Sequence, residues 1–176
     1  MKNLNYRQIN PAEIKDNLIR LIASDWMLVT AGTREKFNTM TANWGGMGYL
    51  WNKNVAFVFV RPERYTYGFI ESTEGFTLTF FDENYRDALN LCGTKSGRDC
   101  DKMAEAGLTP LFTGSGLPAF AEARIVVECR KLYSAQLTRE AFLDDGPLKT
   151  HYNTKDGLHR LYIAEIERVW LRKSES

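Results

Sequence analysis

The chain has 176 residues, 26% of them charged and 12% aromatic, with a net charge of +1. That length suits one domain spanning 1–176 and can bury a sizeable core. With 23 Lys and Arg against 22 Asp and Glu, there is no basic field for nucleic acid and no acidic tail.

Asn10-Pro11 reads as a helix start, with Asn as N-cap and Pro at the first helical position. Ile14, Leu18, Leu21 and Ile22 follow at helical spacing and define one apolar face. Trp26–Ala31 reads as a strand, Gly32–Lys36 as a polar turn, and Asn38–Thr41 as a second strand hairpin-paired to the first. Asn54–Val60 is apolar, β-branched and aromatic and predicts a buried strand. A short helix is expected from about Tyr65-Thr66 to Ser72. Phe76–Phe81 alternates as a strand with one apolar face. Tyr85–Leu91 predicts a helix and Cys92–Asp99 a loop. Asp101–Ala106 predicts a short helix with Gly107 placed as its C-terminal cap. Leu108–Pro118 reads as a loop. Ala123–Leu137 and His159–Leu171 read as long strands, the last bent or bulged. Between them lie a helical turn over Thr138–Leu143 and turns at Asp144–Pro147 and Lys155–Gly157. Six or seven strands with three short helices predict a mainly β fold, an antiparallel barrel rather than βαβ units.

Several chemistries are poorly served. No apolar run approaches the ~20 residues of a membrane span. Met1–Tyr6 lacks a signal peptide's apolar segment, so the expected location is cytoplasmic, with no membrane partner. His151 and His159 are the only histidines, and no HExxH or CxxC spacing offers a metal site. Cys92, Cys100 and Cys129 are odd in number and widely spaced, which indicates no disulfide framework. There is no GxSxG elbow and no GxxxxGK[ST] loop, and Gly45, Gly46 and Gly48 do not follow the Rossmann spacing.

What stands out is the stretch from Asn38 to Thr66. Thr41-Ala42-Asn43-Trp44 sets small side chains beside exposed backbone donors and acceptors, which suits a flat ring with a hydrogen-bonding edge, as a flavin has. Arg61-Pro62-Glu63-Arg64-Tyr65-Thr66 follows an apolar strand. Arg61 offers a planar fork to a phosphate, and Thr66 adds a hydroxyl and the free N–H groups of a helix start. Ser96, Gly97, Arg98 and Lys102 form a second small-plus-cationic group. The same residues also read as a Gly-rich turn, surface ion pairs and a core Trp, and spacing alone leaves both readings open.

Taken together, Asn-x-Met-Thr-Ala-Asn-Trp-Gly, Arg-Pro-x-Arg-Tyr-Thr and Cys-Gly-x-x-Ser-Gly-Arg-Asp-x-Asp-Lys closely resemble the flavin reductase-like family and its flavoredoxin branch. The resemblance runs from about Trp26 to Trp170. It implies an FMN-binding split β-barrel of Greek-key type, usually a homodimer with FMN near the subunit interface. Thr41, Ala42, Asn43 and Trp44 match the segment that lines the flavin ring. Arg61, Arg64, Tyr65 and Thr66 match the segment near the ribityl phosphate. Ser96, Gly97 and Lys102 match the loop and helix start that close over the cofactor. His159 matches a His by the nicotinamide site of reductase members. Here the chain departs from the pattern: Leu158 stands between Gly157 and His159, where many reductases carry Asp.

Two functions follow as expectations. One is an FMN-dependent oxidoreductase that takes hydride from NADH or NADPH, with no certain side-chain acid or base. The other, motivated by Leu158, is a flavoredoxin-type FMN electron carrier reduced by a redox partner protein. A weaker third reading is a split-barrel dimer that has lost flavin. On the phosphate reading, Arg61→Ala weakens FMN binding by about 1.5–3 kcal/mol.

Overall fold

A computed structural model describes residues 5–153 and 156–173. Its strands are β1 (Tyr6–Ile9), β2 (Met27–Gly32), β3 (Phe37–Ala42), β4 (Gly45–Leu50), β5 (Lys53–Val60), β6 (Gly75–Phe80), β7 (Pro110–Phe112), β8 (Pro118–Phe120), β9 (Ile125–Gln136) and β10 (Arg160–Arg172). The helices are α1 (Leu18–Arg20), α2 (Tyr65–Ser72), α3 (Arg86–Thr94), α4 (Lys102–Glu105) and α5 (Gly146–His151).

Eight strands form one sheet, in the order β3-β2-β6-β9-β10-β5-β4, with β1 on β10; all pairings are antiparallel. β3 and β4 are the two ends of this order, yet they are consecutive in the chain, joined by Asn43-Trp44. The sheet therefore curls until its ends come together without closing, a split barrel.

Side-chain alternation explains the interior. Met27, Val29 and Ala31 of β2, Ala56, Val58 and Val60 of β5, and Phe76, Leu78 and Phe80 of β6 all enter one buried cluster. Their neighbours in sequence face outward: Leu28 and Val126 join a second cluster with Leu89, Leu111 and Phe120 beneath α3 and the β7–β8 hairpin. In β10 the inward set is Tyr162, Ala164 and Ile166, and then Val169. That change of parity is absorbed by the register shift between Ile166 and Arg168, so the expected bulge is present.

Differences from expectation have local causes. Asn10 is an N-cap with a full capping box, but the 3-10 turn Pro11–Glu13 ends at once; α1 and a π-turn at Leu21–Asp25 follow after a break. The expected Gly-rich loop after Trp44 is strand β4. A Cβ on Gly46 would lie 2.3 Å from the tip of the Phe57 ring, and Gly45, at φ +151°, would set one 2.5 Å from the Phe57 carbonyl oxygen. Trp51 and Asn52, at φ 54° and 56°, make the tight turn into β5. The expected loop Leu108–Pro118 contains the β7–β8 pair, and Cys92–Thr94 extend α3. The expected turn at Asp144–Pro147 opens α5, with Pro147 in its first turn. The expected turn Lys155–Gly157 begins outside the described residues.

Candidate functional site

The strand ends converge on one edge of the barrel. β10 starts opposite the end of β5, with Arg160 paired to Val60, so His159 and Arg61 leave the sheet side by side. β3 ends at Ala42, and the Asn43-Trp44 link crosses the split. Phe59 alternates with the buried Val58 and Val60 and so faces outward. These elements line a cleft of about 220 Å3 formed by Met40, Thr41, Ala42, Asn43, Trp44, Phe59, Arg61, Arg64 and His159. The Thr41 hydroxyl is turned away to the Leu89 carbonyl, so Thr41 presents mainly its backbone here.

A second, narrower cleft of about 120 Å3 adjoins it. Its walls include Asn38, Arg64, Tyr65, Thr66, Ser96, Arg98 and Lys102, and Arg64 is common to both clefts. The start of α2 forms one side. Arg64 occupies the N-cap position without a side-chain cap; Tyr67 N–H donates to its carbonyl at 2.9 Å, which leaves the Tyr65 and Thr66 N–H groups without a partner within the helix. The buried Thr66 hydroxyl accepts from the Asn38 side-chain amide at 2.8 Å, which leaves its own hydrogen to donate. The Ser96–Arg98 loop forms the other side. Arg98 N–H donates to Ser96 Oγ at 3.2 Å, and the Arg98 guanidinium stacks 4.8 Å from the Tyr65 ring centroid. Gly97 packs so closely that a Cβ would fall 2.1 Å from Asn38 Oδ1.

Lys95 in this cleft is paired with Glu105, but two other cations lack an ion pair among the described residues. Lys102, only 2% exposed at the start of α4, donates to the Cys92 carbonyl at 2.9 Å. The Arg64 guanidinium makes no hydrogen bond or ion pair among the described residues. Burial holds both groups below their ordinary pKa, and Arg64 depresses Lys102 further. Glu63 also lines the cleft, but its carboxylate accepts from Gly157 N–H at 2.7 Å. Two partly desolvated cations, a free hydroxyl and a helix start together have the chemistry to hold an anion.

Arg61 does not line this narrower cleft. Its guanidinium donates to the His151 carbonyl at 2.7 Å, pairs with Asp156 at 3.3 Å and lies 5.4 Å from the Tyr152 ring centroid. It is a strut for the segment after α5, not a free fork. Trp44 meets His151 and His159, each at 5.0 Å between centroids. His159 Nδ1 lies 2.8 Å from the Tyr152 hydroxyl. Burial, with Arg61 beside it, pushes His159 down to about 4, so the ring is neutral at pH 7.

A model of the flavin reductase-like domain matches residues 19–176. The chain belongs to the flavin reductase-like family. No curated protein sequence matches it. Among solved structures it is similar to an FMN-binding domain of a flavin reductase-like enzyme from Shewanella baltica OS155, with TM-score 0.69 and 19% identity, covering 96% of this chain and 78% of that one. Flavoredoxin of Desulfovibrio vulgaris (Miyazaki F) gives TM-score 0.67 and 22% identity over 94% of this chain and 78% of that one. Nitrilotriacetate monooxygenase component B from Bacillus cereus gives 0.62 and 23% over 92% and 79%. These likenesses are of fold.

In this family member the sequence-selected residues fall into two groups. Thr41, Ala42, Asn43, Trp44, Arg61 and His159 line the wider cleft; Tyr65, Thr66, Ser96 and Lys102 line the narrower one; Arg64 lines both. Gly97 stands behind the narrower cleft against Asn38 and Tyr65. Sequence reasoning passed over Asn38 and Tyr152. Asn38 opens the first motif, and a polar residue in an otherwise buried strand was its available signal. Tyr152 carried none, because only the fold returns it to His159.

Proposed function

We propose that the chain binds FMN, with the isoalloxazine ring in the wider cleft and the phosphate in the narrower one, and serves as an NAD(P)H-dependent oxidoreductase. The observation that carries this reading is the half-buried Arg64 without an ion pair, beside the buried Lys102, at the junction of the two clefts. A phosphate would satisfy what these cations and the Thr66 hydroxyl lack. In this reading Arg64, not Arg61, is the arginine that meets the phosphate.

Bound FMN would supply the acceptor for a hydride, so the protein needs no strong acid or base of its own. The chain's residues would bind and orient. The backbone of Thr41–Asn43 faces the ring edge, Phe59 and Trp44 give it apolar walls, and Arg64 and Lys102 anchor the far end. His159 stays neutral and adds no second positive charge beside Arg61.

A homodimer is part of the same proposal. Trp44 and Ile19 are exposed and line a groove with Gly46, Met47 and Phe57, and Tyr49, Trp51 and Tyr133 are exposed as well. An apolar surface of this kind suits a protein contact. The single-chain domain 1–176 and a cytoplasmic location complete the reading.

The departure at Leu158 favours a second reading, an FMN carrier reduced by a protein partner. One experiment separates them. The purified protein is titrated with FMN and its visible spectrum followed, then NADH or NADPH is added without air. Bleaching of bound flavin by either nucleotide supports the reductase. Tight flavin that neither nucleotide bleaches supports the carrier, and failure to bind FMN removes both.

A further inference from the structure

The wider cleft has a polar group whose orientation is fixed from behind. His159 reaches the cleft from the start of β10, and its Nδ1 lies 2.8 Å from the Tyr152 hydroxyl. Tyr152 follows α5 and is only 5% exposed. Phe142 packs on it at 5.9 Å between centroids, and the Arg61 guanidinium covers its ring. Its position is therefore set by packing on several sides, and it holds His159 rather than the reverse.

We propose that Tyr152 is a positioning residue, whose hydroxyl donates to Nδ1 of His159 and so fixes the imidazole as the Nε2–H tautomer, presenting one neutral N–H donor to the cleft. Counting hydrogen bonds decides the direction. His159 Nδ1 is the only partner of the Tyr152 hydroxyl among the described residues. If the hydroxyl accepted from Nδ1–H, its own hydrogen would have no acceptor among the described residues. If it donates, both atoms are satisfied. Acid strength points the same way. A phenol is a stronger acid than a neutral imidazole N–H, and an unprotonated imidazole nitrogen is a stronger base than a phenol oxygen, so O–H to N is the better bond. Burial raises Tyr152 above its ordinary pKa and keeps it a phenol.

With Nδ1 engaged, Nε2 is the polar atom left to His159. It makes no hydrogen bond to any described residue. The cleft beside the flavin ring would then recognise an acceptor oxygen or nitrogen of a second molecule, such as a carboxamide carbonyl, and would reject a donor at the same point. That use rests on the wider cleft being the ring site, whereas the tautomer itself does not.

Long-range 1H–15N NMR of the imidazoles tests the proposal on the protein alone, without flavin. A His159→Gln variant assigns the signals. At pH 7 wild-type His159 is expected as a single tautomer, with a pyrrole-type Nε2 and a pyridine-type Nδ1. Tyr152→Phe, which removes only the hydroxyl, is expected to bring both nitrogens toward averaged shifts while backbone amide shifts of β5 and β10 hold. A wild-type ring protonated at Nδ1 overturns the proposal, and so does an unchanged tautomer in a folded Tyr152→Phe. If that variant does not fold, the wild-type tautomer decides alone. A protein that gives the expected tautomer yet binds no FMN separates failure of the cofactor reading from failure of this one.

Discussion

The Asn38 side-chain amide donates to Thr66 Oγ1 at 2.8 Å, joining β3 to the start of α2 across 28 positions of sequence. Both residues are buried, at 3% and 1% exposure. The bond occupies a lone pair of the threonine and leaves its hydrogen for an anion in the narrower cleft. Thr66→Val removes that donor and also takes the shorter of two hydrogen bonds from the buried Asn38 amide, which keeps the Thr39 carbonyl at 3.3 Å. The expected result is a stability loss of about 1–3 kcal/mol in urea unfolding and weaker FMN binding. Thr66→Ser keeps the hydroxyl and should retain most of both. Equal FMN affinity in Thr66→Val and the parent would count against the placement of the phosphate.

The arginine assignment is tested by comparing two ligands. Riboflavin lacks the phosphate, so a residue that meets the phosphate affects FMN and spares riboflavin. Arg64→Ala is expected to weaken FMN binding about ten- to hundred-fold, the equivalent of about 1.5–3 kcal/mol for a charge-assisted bond. Its effect on riboflavin should be small. Arg61→Ala is expected to affect both ligands alike, because it loosens the segment held through the His151 carbonyl and Asp156. If Arg61→Ala alone shows the phosphate-specific loss, the two arginines have been assigned the wrong way round.

The sequence carried the frame and the ligand site unevenly. The strands β2, β5, β6 and β9 were legible because each carries a run of apolar or β-branched residues that is buried in the fold, along all of β2 and β6 and the first half of β9. β4 was not, because three of its six residues are glycine and the reason for two of them lies across the sheet, at Phe57. α5 was misread as a turn although Pro147 in its first turn is a helix-start signal. At the site, local order found Arg61 and Arg64 but could not rank them. That needs the partners of each, His151, Asp156 and Tyr152 for Arg61, which come from 90 or more residues away.

Acid should destabilise the protein through His159. In the fold its pKa is about 4, held down by burial and by Arg61, against an ordinary value of 6.5. The unfolded chain therefore binds the proton first as pH falls. The contribution to stability is complete above 6.5 and is lost between 6.5 and about 4. The groups facing this ring, Arg61, Glu63 and His151, are shared by a control variant, so the comparison isolates the imidazole. Urea midpoints at pH 7 and pH 5 are expected to differ more in the wild type than in His159→Gln. An equal drop in the two proteins would assign the acid sensitivity elsewhere.

Gly97 is the sharpest steric constraint at the narrower cleft. A Cβ there would lie 2.1 Å from Asn38 Oδ1 and 3.2 Å from Tyr65 Cδ1. Asn38 cannot yield cheaply, since its amide is buried and bonded to Thr66 and to the Thr39 carbonyl at 3.3 Å. The loop would move instead, taking Ser96 away from the cleft and Arg98 off Tyr65. Gly97→Ala is therefore expected to lower FMN affinity several-fold while the barrel core, remote from the loop, keeps its thermal midpoint within a few degrees. Gly48→Ala, where an added Cβ meets nothing within 4 Å, serves as the control and should leave FMN affinity unchanged. The loop and Asn38 do not form a shared wall of the cleft if Gly97→Ala binds FMN as tightly as that control.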